Sequence, residues 1–126
     1  MPLVHNLQQY KITADGTTAP FLIEAYQSIT AIISSGVGAA GTVKLVHSLQ
    51  KDQPDFTATA DDTNKWGYLS SINLANTGTV IAGSAGYTVA GAACENVVAA
   101  TDTSRWVAFE ATGVAGEIII DLITTD

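Results

Sequence analysis

Short strand-like segments follow one another along the whole chain, and no window sustains the spacing of an amphipathic helix. Alanine is frequent, but glycine and β-branched residues interrupt every stretch in which a helix would nucleate. The segments at 8–13, 18–24, 27–34, 42–48, 65–73, 79–82, 86–89, 95–99, 105–111 and 117–124 read as strands. Turn signals lie between them at Asp15-Gly16, Ser35-Gly36 and Asn76-Thr77-Gly78. This recurrence predicts an all-β chain: an antiparallel sandwich of about 8 to 10 short strands.

Two strand pairs look alike. SITAIIS, SGVGAAG and TVKLVHS form one; RWVAFEA, TGVAG and EIIIDLI form the other, and both read as hairpins. Side chains alternate across a strand, so Val107, Phe109 and Ala111 should face Ile118, Ile120 and Leu122 across the core. Val43 and Leu45 should point inward and Lys44 and Ser48 outward. A shorter repeat is sharper: Asp62-Thr63-Asn64-Lys65-Trp66 returns as Asp102-Thr103-Ser104-Arg105-Trp106. In each copy a polar turn, fixed by local side-chain hydrogen bonds, precedes one basic residue and a Trp opening an apolar strand. Trp66 and Trp106 are expected to cap an end of the core, each indole N–H turned to a partner at the rim.

The chain has 126 residues, suited to one domain, with residues 1–14 read as an N-terminal arm or edge strand and 15–126 as a single sandwich. Hydrophobic residues make up 47% and charged residues 13%, so much of the surface must be Ser, Thr, Asn, Gly and Ala. Such a low-charge surface suits subunit contacts, whose cores are depleted in charge. Five Lys and Arg against twelve Asp and Glu give a net charge of −7. The scattered basic residues offer no track for phosphates, so nucleic acid is not expected as a partner. No apolar run approaches the roughly 20 residues that span a bilayer, and no signal peptide is visible, so a membrane is not expected either. Cys94 is the single cysteine; it reads as a small buried residue, and folding without disulfides suits a reducing cytoplasm.

Residues for catalysis are hard to assemble. His5 and His47 lie in no recognisable motif, and the phosphate-cradling, metalloprotease and serine-hydrolase signatures are absent. Asp52, Asp55, Asp61 and Asp62 crowd the polar connection from Leu49 to Asn64. Oxygen-rich loops of this kind can hold calcium, but without ligand spacing these aspartates read as turn formers. Neither metal nor cofactor is expected, and the chain reads as non-enzymatic. The connection itself should stand out from the body and make contacts. Exposed rings near polar residues would suit a glycan, and Trp66, Tyr68 and Tyr87 are the candidate platform, with Tyr26 also near a turn.

The segments SSGVGAAGTVKLVHSL, DQPDF, DDTNKWGYL, INLANTGTVIAGSAGYTVAG and RWVAFEATGVAGEIIIDLI, within about residues 26–123, resemble small β-sandwich virion proteins of tailed phages. The resemblance implies a jelly-roll-like sandwich on the outer surface of a virion, assembled in the host cytoplasm. It further implies a homotrimer or larger symmetric oligomer in contact with capsid or tail proteins. The function expected is capsid decoration or stabilisation; the alternative is a glycan-binding module of a tail or fibre. Candidate interface residues are Pro2, Leu3 and Val4 in the N-terminal arm, with Tyr10 and Phe56.

Overall fold

A computed structural model describes residues 4–23, 28–74, 79–101 and 104–125. Among these residues there are twelve strands. They are β1 (Val4–Ile12), β2 (Gly16–Thr17), β3 (Phe21–Leu22), β4 (Ser28–Ser35), β5 (Ala40–Ser48), β6 (Gly67–Leu69), β7 (Ser71–Asn73), β8 (Thr79–Ile81), β9 (Tyr87–Ala90), β10 (Ala93–Ala100), β11 (Trp106–Ala115) and β12 (Ile118–Thr125). Two antiparallel sheets pack as a sandwich. Sheet A runs β1-β12-β4-β10-β7-β8; sheet B runs β2-β11-β5-β6, with β3 also paired to β11 and β9 to β5. The pairs are nested: β1 with β12, β2 and β3 with β11, β4 with β10, and β5 with β9. A long antiparallel ribbon rolled over itself gives this nested order.

The positions predicted inward on β5, β11 and β12 lie in the core, joined by β4 and β10. Ile29, Ala31, Ile33, Val97, Ile118, Ile120 and Leu122 of sheet A meet Val43, Leu45, Val107, Phe109 and Ala111 of sheet B, all buried. Both supposed hairpins are instead arches. Strand β4 lies in sheet A and β5 in sheet B; β11 lies in sheet B and β12 in sheet A. Alternation alone cannot separate these arrangements, because each turns the same residues toward the core. The arches lie side by side: Ala40 pairs with Ala115, and a Cβ on Gly116 would come 3.2 Å from the Ala39 Cα. The expected strand 65–73 also divides. Its first part, β6, belongs to sheet B and its second, β7, to sheet A, with Ser70 the residue between them.

Two glycines serve the crowded crossing near Ser70. A Cβ on Gly83 would meet the Tyr68 and Leu69 backbone at 2.9–3.0 Å, and the Gly83 N–H donates to Ser70 Oγ at 3.1 Å. Gly86 has φ +76°, and a Cβ there would lie 2.7 Å from the Val43 carbonyl oxygen. Gly86→Ala therefore adds left-handed strain to a backbone clash. The expected loss of stability is about 2–4 kcal/mol, read as a lower urea midpoint; an unchanged midpoint would show that β9 shifts freely along β5.

Candidate functional site

The outer faces of the two sheets differ in what covers them. On sheet B, Val46 and Ala108 are register partners whose side chains point away from the main core, yet both are fully buried. The cover is the connection between β5 and β6. It lays Phe56, 3% exposed, against Val46 and Ala108, with Trp66 and Trp106 packed beside them. The Trp66 indole N–H donates to the Ala58 carbonyl at 3.0 Å, and that of Trp106 to the Gln50 carbonyl at 3.1 Å. The connection expected to project is thus pinned flat, and both tryptophans seal a second cluster outside sheet B instead of capping the core.

The Trp repeat has a geometric meaning. Strands β6 and β11 flank β5, so the two copies of the repeat reach Ser48 from either side. Ser48 Oγ donates to the Lys65 carbonyl, while the Ser48 carbonyl accepts from the Arg105 N–H at 2.8 Å. Equivalent basic positions of the repeat thereby bond to one residue through their backbones. Residues 102–103 of the second copy lie outside the described residues.

The aspartates of the connection act locally. Asp55 accepts from the Thr57 N–H and hydroxyl, and Asp61 from the Thr63 N–H and hydroxyl and the Asn64 N–H. These bonds hold both carboxyls below their usual range. Among the described residues, no three His, Cys, Asp or Glu side chains come together as a metal site would need.

The proposed ring platform is not flat. Trp66 meets Tyr68 edge to face, with 5.5 Å between centroids and planes 87° apart, and it meets Phe56 at 6.0 Å and 82°. Lys44 Nζ lies 5.2 Å from the Tyr68 ring centroid, and the Tyr68 hydroxyl donates to Glu110 at 3.3–3.4 Å. Tyr87 is elsewhere, against the main core, where burial and then a hydrogen bond to Glu95 push its phenol up to about 12. Tyr26 lies outside the described residues.

Of the interface candidates, Tyr10 and Phe56 pack within the chain. Tyr10 is half-buried, its ring edge-on to Phe109 at 5.6 Å, with burial raising its phenol's pKa. Phe56 is enclosed by the chain's own connection. Pro2 and Leu3 lie outside the described residues; Val4 opens β1, its backbone paired with Thr125 along the edge of sheet A.

One pair was missed because its members lie far apart in sequence. His47 Nδ1 is 2.8 Å from Ser104 Oγ. Serine beside histidine has the composition of a nucleophile and its base. Ser104, however, is 3% exposed, and the open groove next to the pair is lined by His47, Leu49, Asp61, Lys65 and Trp66 rather than by Ser104. Burial lowers the His47 pKa below its ordinary 6.5. The contribution to stability is therefore complete above the ordinary value and is lost as pH falls through the folded one. An NMR titration should place the His47 midpoint below 6.5; a midpoint at or above that value would contradict the buried setting.

Sheet A presents the opposite outer face. One register row reads Val80, Ile72, Val98, Thr30, Ile123 and Asn6 across six strands. The next reads Asn96, Ile32, Asp121 and Gln9, and the next Cys94, Ser34, Ile119 and Lys11. Six branched aliphatic side chains thus share a face with two charges, and none of the six belongs to either buried cluster. Val80 is 67% exposed and Ile72 43%. Cys94, expected to be buried, is exposed here because its parity in β10 is opposite to that of Val97 and Ala99.

No family model matches the sequence, and neither does any curated protein. Among solved structures the chain is similar to SPBc2 prophage-derived protein YomS, with a TM-score of 0.66 over 100% of this chain and 94% of that one. Identity is 14%, so the likeness is one of fold.

Proposed function

We propose that this chain is a non-enzymatic structural protein of a phage particle, acting as a capsid decoration or stabilising subunit on the particle's outer surface. The observation that carries this reading is the aliphatic outer face of sheet A, on which Val80 and Ile72 are exposed and Ile32, Val98, Ile119 and Ile123 partly so. Soluble monomers rarely expose a contiguous apolar patch of this kind, and such patches mark sites of contact. The likeness in fold to a prophage-derived protein supports a phage setting.

The mechanism is mechanical. Each bound copy buries apolar and backbone surface against its neighbours, so separating shell subunits also requires separating those contacts. Symmetric self-association multiplies this effect, since a copy held by its neighbours leaves only when several contacts open together. The chain's acidic balance disfavours packaged DNA and favours an outer position.

Co-sedimentation with empty shells of the phage that carries this chain tests the reading. Saturable binding at a fixed ratio to the shell subunit, with shells that resist heat better when loaded, is the expected result. Shells that neither bind the chain nor gain stability would overturn it.

A further inference from the structure

We infer that a second copy of this chain packs face to face on the outer surface of sheet A. This rests on the contact-making reading above and names the partner of that face.

Charge selects the occupant. The chain carries −7, so two copies repel on most approaches. In the register rows of this face the charges are Lys11 and Asp121, one of each sign. Asp121 already accepts from Gln9 Nε2 at 2.7 Å, and Lys11 lies 3.8 Å from Glu117. With Glu117 beside Lys11 at its edge, the face carries a single net negative charge, so repulsion at the contact is much weaker than the whole-chain charge implies and an identical face can sit on it.

Size and shape agree with this. At about 4.8 Å between strands and about 3.3 Å per residue, the six strands cover roughly 600 Å² in projection. A standard interface takes about 800 Å² of accessible surface from each partner, and side-chain relief raises the projected figure toward it. Aligned sheets stack about 10 Å apart through interlocking side chains, and branched aliphatics are the residues that do so without unsatisfied polar groups. Sheet B cannot offer the same contact because Phe56, Trp66 and Trp106 already close its outer cluster.

The test is sedimentation velocity of the full chain over a concentration series, with Val80→Asp, Ile72→Asp/Val80→Asp and the control Val37→Asp. Val37 is 94% exposed in the arch between β4 and β5, away from the face. A reversible, concentration-dependent pair is expected, weakened more than about a hundredfold by the double variant, which would bury unpaired carboxylates. Val80→Asp should weaken it less, and Val37→Asp should leave it intact. Thermal melting by circular dichroism confirms that each variant folds. Cys94 is a native reporter on the face, and its alkylation should slow as wild-type copies associate but not in the double variant. A chain that stays monomeric, or pairs equally well in every folded variant, overturns the inference. Shell binding is scored separately: retention by a chain that does not pair this way leaves the proposed function standing, whereas pairing without shell binding removes that function alone.

Discussion

Phe56→Ala should release the connection between β5 and β6 from sheet B while the sandwich itself stays folded. Phe56 is the side chain of the connection that is buried in the outer cluster, where it fills the space between Val46, Ala108 and the two partly buried tryptophans. Removing a buried Phe ring costs about 3–5 kcal/mol when the site cannot collapse. Here the cost falls on docking, because the connection's other ties are single hydrogen bonds, each with a net worth of about 1 kcal/mol. Both tryptophans would lose their cover together. Their emission should shift to longer wavelength, and trypsin should cut after Lys51 or Lys65 at concentrations that spare the wild type. An unshifted spectrum with no new cleavage would mean that the backbone bonds hold the connection without Phe56.

Phe109→Ala should have the larger global effect. Phe109 is 1% exposed at the centre of β11, edge-on to Tyr10 from the opposite sheet. It also lines a small apolar cavity of about 20 Å³ between the sheets, with Val43, Leu45, Val97 and Tyr87. Truncation enlarges this space, and ladders on either side of β11 prevent the backbone from closing it. A loss of about 4 kcal/mol is expected, a large part of the roughly 5–15 kcal/mol that holds a domain. The melting temperature should fall by about 15 °C, and Phe109→Leu should recover more than half of the loss. If Phe109→Ala melted within a few degrees of the wild type, the assignment of this ring to the centre of the core would fail.

Legibility from sequence divides along physical lines. Strand content and inward parity were readable because alternation is a local property, and Val107, Phe109, Ile118 and Ile120 occupy the predicted side of the core. Sheet membership was not readable. An arch and a hairpin impose the same alternation, so β4–β5 and β11–β12 differ from hairpins only through partners distant in sequence. The docked connection left a trace that simple alternation overlooks. Leu45-Val46 and Val107-Ala108-Phe109 are continuous buried runs, the mark of strands covered on both faces. The tryptophan repeat was visible as a pattern, but its use required knowing that β6 and β11 flank the same strand. The aliphatic face of sheet A was hidden because Ile72, Val98 and Ile123 fall on separate strands, and only the register aligns them.

Cryo-electron microscopy of the assembled particle, at a resolution that traces strands, tests most directly that this chain works by contact on a virion. The account predicts ordered copies in fixed ratio to the shell subunit, on the outer surface, with the outer face of sheet A buried against a neighbour. Purified particles that lack the chain, or that carry it with that face open to solvent, would contradict it.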